Sequence, residues 1–324
     1  MMQLLTAAFM YLLAAARLPA FIRTRRDAVF IAALLAGTAG LLTSPDVYVA
    51  ADSALGGRNI ATLVQHSLMV TAIWNIRSGI MAAISHGTDR GVRRYGLLPL
   101  YVTLAMQAVF FVLTVAGRTT TDFGNDYNGT LPGAVFYSMV MLFTGWVCAE
   151  IAAISRRFVP RMRGPFKAGF LLVSVGAFLG AFAAAAMVLD ILAASVPTLS
   201  FFSFHQTPLQ EIFELVPTAL IGIGLTIPAV AGQLDRAKSR RREKATLAAV
   251  APIRDRALAL ADTGRTLPSD PGTTVSEQLH RTIVQIWDAE LASGSASAIT
   301  DEERAYLLAV EKLLDLERAT GDQL

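Results

Sequence analysis

Two kinds of residue in this 324-residue chain could do chemistry: polar or ionisable groups inside long apolar runs, and basic clusters between those runs. The run 59–85 holds Gln65, His66, Asn75 and Arg77, and the run 133–155 holds Glu150. Gln107 stands in the middle of 95–117 and Asp190 near the end of 166–194. Glu211 and Glu214 open 211–233, with His205 just before them. A charged side chain facing hydrocarbon is costly, so such groups are expected to face protein, water or one another.

Spacing sorts these groups by depth. At 1.5 Å per residue, His66 lies about 12 Å along a helix from Arg58, and Arg77 about 28 Å. They therefore belong to opposite ends of one run. Glu150 stands about 9 Å before Arg156, a depth comparable to that of Arg77, which predicts an interhelical Arg77–Glu150 ion pair. At the other end, Gln65, His66, Asp190 and Glu214 are expected to line one outward polar pocket, reached from the side of His205. Its carboxylates would favour a cationic or amine-bearing ligand. The competing reading of Gln65, Asn75 and Gln107 is hydrogen bonding between helices, about 0.6 kcal/mol each.

Several chemistries have no motif to carry them. There is no Gly-x-x-x-x-Gly-Lys-[Ser/Thr] loop for a nucleoside triphosphate and no His-Glu-x-x-His zinc signature. Four scattered histidines and the lone Cys148 offer no metal set and no intramolecular disulfide. The run 211–233 holds no lysine for a retinal Schiff base, and no kinase signature occurs. The expectation is a protein that is not an enzyme, with no cofactor and no metal.

The elements that must position these groups are apolar helices. The chain is 54% hydrophobic and 16% charged, with mean hydropathy +0.50. A soluble domain carries about 25% charged residues, so much of a solvated surface is missing. Seven spans are expected, at 3–22, 28–44, 59–85, 95–117, 133–155, 166–194 and 211–233, the second being short and able to continue through Val47–Ala50. Arginines and lysines gather after spans one, three, five and seven, whereas the opposite loops hold only Arg58 and Arg118. The positive-inside rule then puts the N-terminus outside and the C-terminus in the cytoplasm. An alternative for residues 1–20 is a cleaved signal peptide, but the arginines follow the apolar run instead of preceding it.

The basic loops, including Arg236–Lys244, suit anionic lipid headgroups, and despite a pI of 9.2 no nucleic-acid partner is expected. Gly176 and Gly180 form a Gly-x-x-x-Gly pair, and Gly222 and Gly224 add small positions in the last span, which favour close helix packing. Pro217 and Pro228 would loosen that span's hydrogen bonds.

The expected fold is thus all-α. It comprises a seven-helix transmembrane bundle over 1–235 and a small helical cytosolic tail domain over 236–324, multi-pass in the plasma membrane with the lipid bilayer as first partner. In the tail, Thr274-x-x-Glu277 and Thr300-x-x-Glu303 read as capping boxes. Leu279, Ile283, Ile286 and Trp287 share one side of the first helix they open. Leu307, Leu308, Leu313 and Leu314 belong to the second. Ile283, Ile286 and Trp287 are expected to dock a cytosolic protein, with Trp287 as anchor or alternatively as tail core. Self-association into a homo-oligomer is a further expectation.

The stretches "RNIATLVQH", "APIRDRAL" and "LHRTIVQIWDAEL" resemble an actinobacterial family of seven-span membrane proteins. Its members are labelled only as candidate transporters and carry a cytosolic domain of unknown function. His280, Arg281, Ile283, Ile286 and Asp288 stand on matching positions of that family's tail helix, while Gln285 and Trp287 depart from its usual Glu and Arg. The resemblance implies architecture and a transporter label. The residues themselves favour a receptor, sensor or scaffold working through the tail, with small-solute transport as the alternative. No internal repeat of the transporter kind is found.

Overall fold

The computed structural model describes residues 2–25, 27–84, 96–114, 117–195, 208–261, 273–293 and 299–321, and all regular structure among them is helical. In chain order the α-helices are α1 Met2–Thr24, α2 Ala28–Leu41, α3 Pro45–Ala54, α4 Ile60–Ile84, α5 Leu98–Leu113, α6 Phe123–Tyr127, α7 Leu131–Phe158, α8 Gly164–Ser195, α9 Pro208–Leu260, α10 Val275–Ala292 and α11 Asp301–Gly321. Two compact units result, Met1–Ala231 and Gly232–Leu324.

Helices occupy all seven apolar runs, but they are not equal. Among the described residues, α1, α7, α8 and α9 are long and apolar enough to cross a membrane, and α2 with α3 makes a fifth only if that bent pair counts as one span. Polar residues dilute α4, and the 16 residues of α5 reach only about 24 Å.

The continuation of the second run through Val47–Ala50 is helical but does not extend α2, because α3 departs from it by 96°. Pro45 explains the break. It has no N–H to give to the Leu41 carbonyl, and it drives Ser44 into an extended conformation with ψ 125°.

The first unit packs α1 on α2, α2 on α4, α4 and α5 on α7, and α7 on α8. Val70, Trp74, Val140, Phe143, Val147, Ile151, Val173 and Ile221 form its main apolar core. Small residues set the closest approaches. A Cβ on Gly224 would lie 2.6 Å from the Gly169 carbonyl oxygen, and one on Gly169 would lie 2.6 Å from that of Gly224. Gly176 fits against Leu220 and Ile221, and Gly180 against Cys148 and Pro217. Backbones can approach this closely only where side chains are missing.

The second unit has its own core of Val250, Ile253 and Ala257 from α9, Leu279, Ile283, Ile286 and Ala289 from α10, and Ile299, Leu307, Val310 and Leu314. Both expected capping boxes are present. Thr274 accepts from Glu277 N while the Glu277 carboxylate accepts from Thr274 N, and Thr300 and Glu303 repeat the exchange. The Glu303 carboxyl is held below its ordinary range by the Thr300 N–H and then by Arg256.

One expectation for the tail is corrected. Ile283 (1% exposed) and Ile286 (0%) belong to the tail's own core, so they have no surface to offer a partner. On α11 Leu307 and Leu314 are buried, and Leu308 and Leu313 lie on its other side. They are exposed, because the inward positions run 307, 310, 314 at the 3.6-residue period.

Candidate functional site

The polar groups of the first unit gather at opposite ends of α4. At one end Asp52, fully buried on α3, receives three hydrogen bonds. Asn59 N donates to Oδ2 at 2.9 Å, Thr119 Oγ1 to the same oxygen at 2.6 Å, and Ala61 N to Oδ1 at 3.1 Å. Ala61 lies in the first turn of α4, so the carboxylate both caps the helix and meets its positive dipole end. Burial by itself pushes the Asp52 carboxyl upward. The Thr119 hydroxyl and the backbone amides outweigh it and hold the group below the ordinary carboxylate range.

Asn59 is the second hub. Its backbone is left-handed at φ 60°, which asparagine tolerates better than most residues. Its amide group is used on both sides. Oδ1 accepts from Tyr48 Oη at 3.0 Å and from Thr120 N at 2.8 Å, while Nδ2 donates to the Arg118 carbonyl at 3.0 Å. Since the single Tyr48 proton goes to Asn59, the Thr62 hydroxyl, 2.7 Å away, donates to Tyr48 Oη. Tyr48, Asp52, Asn59 and Thr62 are all at least 95% buried, and each has partners. The knot ties the α3–α4 turn to segment 118–120.

One turn along α4, His66 sits beneath this knot. Its Nδ1 lies 2.8 Å from the Thr62 carbonyl, which can only accept, so Nδ1 carries a proton. The ring meets Phe136 edge-on at 5.4 Å and Tyr137 at 5.0 Å, next to the cluster of Phe111, Phe123 and Phe136. Asp190 is also buried, on α8, but the described contacts of His66 lie on α4 and α7. Gln65 is half-buried on a neighbouring face. The Glu214 side chain and all of His205 lie outside the described residues. Among the described residues the ring contacts of His66 are thus with Phe136 and Tyr137, and the expected pocket falls in part on residues outside the described ones.

At the other end of α4, Arg77 and Glu150 meet in a two-pronged pair, Nε to Oε2 at 2.7 Å and Nη2 to Oε1 at 2.7 Å. The guanidinium also lies 4.6 Å from the Trp74 ring centroid. Side-chain exposures of 7% and 24% leave the arginine dry and the carboxylate partly open. Among the amides, Asn75 bonds its own helix, donating to the Thr71 carbonyl at 2.8 Å. Gln107 is fully buried and accepts from Ser67 at 3.5 Å, while its Nε2 has no partner.

A further polar joint was not foreseen. Arg17 on α1 reaches Asp27 at 3.6 Å and donates from Nη2 to the Leu225 carbonyl of α9 at 3.3 Å. Leu225 stands three residues before Pro228, where the helix ladder loses a donor. Asp27 in turn caps α2 through Val29 N and Phe30 N.

No metal-binding group of three or more His, Cys, Asp or Glu occurs among the described residues. In the tail, Trp287 is half-buried and packs against the core, with exposed Val284 and Leu291 near it along α10. No family model, curated protein or solved structure matches this chain.

Proposed function

We propose that the protein is a multi-span receptor or sensor of the cell membrane that acts on a cytosolic partner through its tail. The observation that carries this reading is α9. One uninterrupted helix supplies Ile221 and Leu225 to the core of the first unit and Val250, Ile253 and Ala257 to the core of the second. Under this proposal α9 passes a change in bundle packing to the tail. In this reading the seven runs cross the bilayer and the arginine-rich loops face the cytoplasm. The Asp52 knot then caps the outer end, and Arg77–Glu150 lies in the inner third. Partner docking in this reading moves to the exposed stripe of α10 flanking Trp287, because Ile283 and Ile286 are buried in the tail's own core.

Small-solute transport is the second reading. It is favoured by Gln107, whose buried amide donor has no partner among the described residues in the middle of an apolar run.

Amide hydrogen exchange of α10 and α11 in the full-length protein separates the two. Glu150→Gln, which breaks the ion pair, is expected to change exchange in the tail. The same substitution is expected to leave the tail unmoved once two glycines are inserted after Ser239. Identical tail exchange in every variant, together with solute uptake by proteoliposomes, would make it a transporter.

A further inference from the structure

Five basic side chains on α9, Lys238, Arg240, Arg241, Arg242 and Lys244, are exposed, and no ion pair among the described residues engages them. Three other arginines of the tail are used differently. Arg254 pairs with Asp255, Arg256 with Glu303, and Arg304 with Glu290. These three are thus paired at the tail's surface, whereas the α9 cluster is left open.

Position along the helix narrows what could cover it. The apolar run ends near Gln233, so Lys238 and Lys244 follow by about 8 and 16 Å. The headgroup layer is about 5–8 Å thick on each side, and screening at physiological salt sets in over about 8 Å. The cluster therefore lies where a charged membrane surface is still felt. Azimuth narrows it further. At about 100° per residue, the five positions sweep an arc of about 200°, and the remaining sector is the one that carries Val250 and Ala257 into the tail core. A rigid partner reads one face of a helix. A fluid layer of headgroups surrounds it.

We propose that this cluster is a collar for anionic lipid headgroups of the cytoplasmic leaflet, and that it makes α9 responsive to the charge of that leaflet. Phosphate groups on mobile lipids can gather around a wide arc, and each basic residue near such a surface adds to the attraction. The proposal uses the cytoplasmic sidedness of the tail but not the receptor reading. A transporter with the same helix would carry the same collar.

The experiment compares the full-length protein in phosphatidylcholine nanodiscs with and without phosphatidylglycerol, reading amide exchange over residues 235–246. Exchange is expected to slow by at least about tenfold in the anionic discs and to recover in high salt. The Arg240→Gln/Arg241→Gln/Arg242→Gln variant should lose the effect while α7 exchanges as before, because glutamine preserves helix propensity. The corresponding triple lysine variant should retain it, since charge and not guanidinium geometry is required. Equal exchange in the two lipids would overturn the proposal, as would failure of the lysine variant. Protection that appears only when an acidic peptide or an oligonucleotide is added would replace lipid with that partner.

Discussion

Asp52 is the residue on which the first unit's polar end turns. Its three donors converge on two oxygens, so an asparagine in its place would turn a donor toward another donor. Asp52→Asn is expected to lower stability by about 1–3 kcal/mol in a detergent melt, and an unchanged melting temperature would show the knot to be dispensable. The pH dependence has a definite sign. A carboxyl whose folded pKa is depressed adds stability that is present above its unfolded pKa, about 3.9. That stability is lost as pH falls through the folded value. Wild type should therefore lose more stability than Asp52→Asn below about pH 4. Arg77 and Glu150 pose the opposite problem, a pair whose halves are costly alone. Removing one partner of a buried pair costs about 3–5 kcal/mol, and the partial exposure of Glu150 places this pair at the lower end. Arg77→Met with Glu150→Gln should lose clearly less than the sum of the single losses, and additivity would mean that the contact carries no energy. Depth arithmetic alone had placed these two residues together. The same arithmetic could not give His66 its neighbours, because depth says nothing of azimuth around the bundle. Asp52 was missed for another reason. A lone aspartate in a loop carries no periodic signal, and its donors come from Asn59, Ala61 and Thr119, up to 67 residues away.

Among the elements, α9 against α8 shows what small residues contribute. Gly169 and Gly224 approach each other's backbone so closely that a methyl group at either must displace main chain and not a flexible side-chain end. Gly224→Ala is expected to cost about 1–3 kcal/mol by overpacking, while Gly56→Ala meets no atom within 4 Å and is opposed only by its φ of 106°. Equal effects of Gly224→Ala and a solvent-facing alanine substitution would mean that the close approach is relieved without strain. The sequence pair Gly176–Gly180 signalled helix packing. The tighter contact, at Gly169, belongs to no motif and shows only when two helices are side by side. The α2–α3 bend was not read from the sequence, which allowed the second run to continue through Val47–Ala50; Pro45 breaks it, and α3 leaves at 96°. In the tail, capping boxes announced both helix starts. On α11 the leucines occur in adjacent pairs, and one of each pair points out. Trp287→Ala should cost the tail about 2 kcal/mol without unfolding it, since the ring is only half-buried against the core. Complete loss of helical circular dichroism would make Trp287 a residue the core cannot lose.

For the whole molecule, sidedness decides everything that the function requires. A sensor needs its Asp52 end and its tail in different compartments, and an odd number of crossings is the condition for that. The arginine asymmetry was readable from sequence because topology is set by loop charge. The length of α9 was not, since no pattern distinguishes an apolar run followed by a linker from one that runs on as a single helix of 53 residues. Cysteine labelling tests the arrangement cleanly, because the only native cysteine, Cys148, is buried. Asp126→Cys and Glu302→Cys place single thiols at exposed positions of α6 and α11. In intact cells a membrane-impermeant maleimide should modify Asp126→Cys at once and Glu302→Cys only after the membrane is opened. Labelling of both from outside, or of neither, would put the two ends on one side and contradict the seven-crossing bundle.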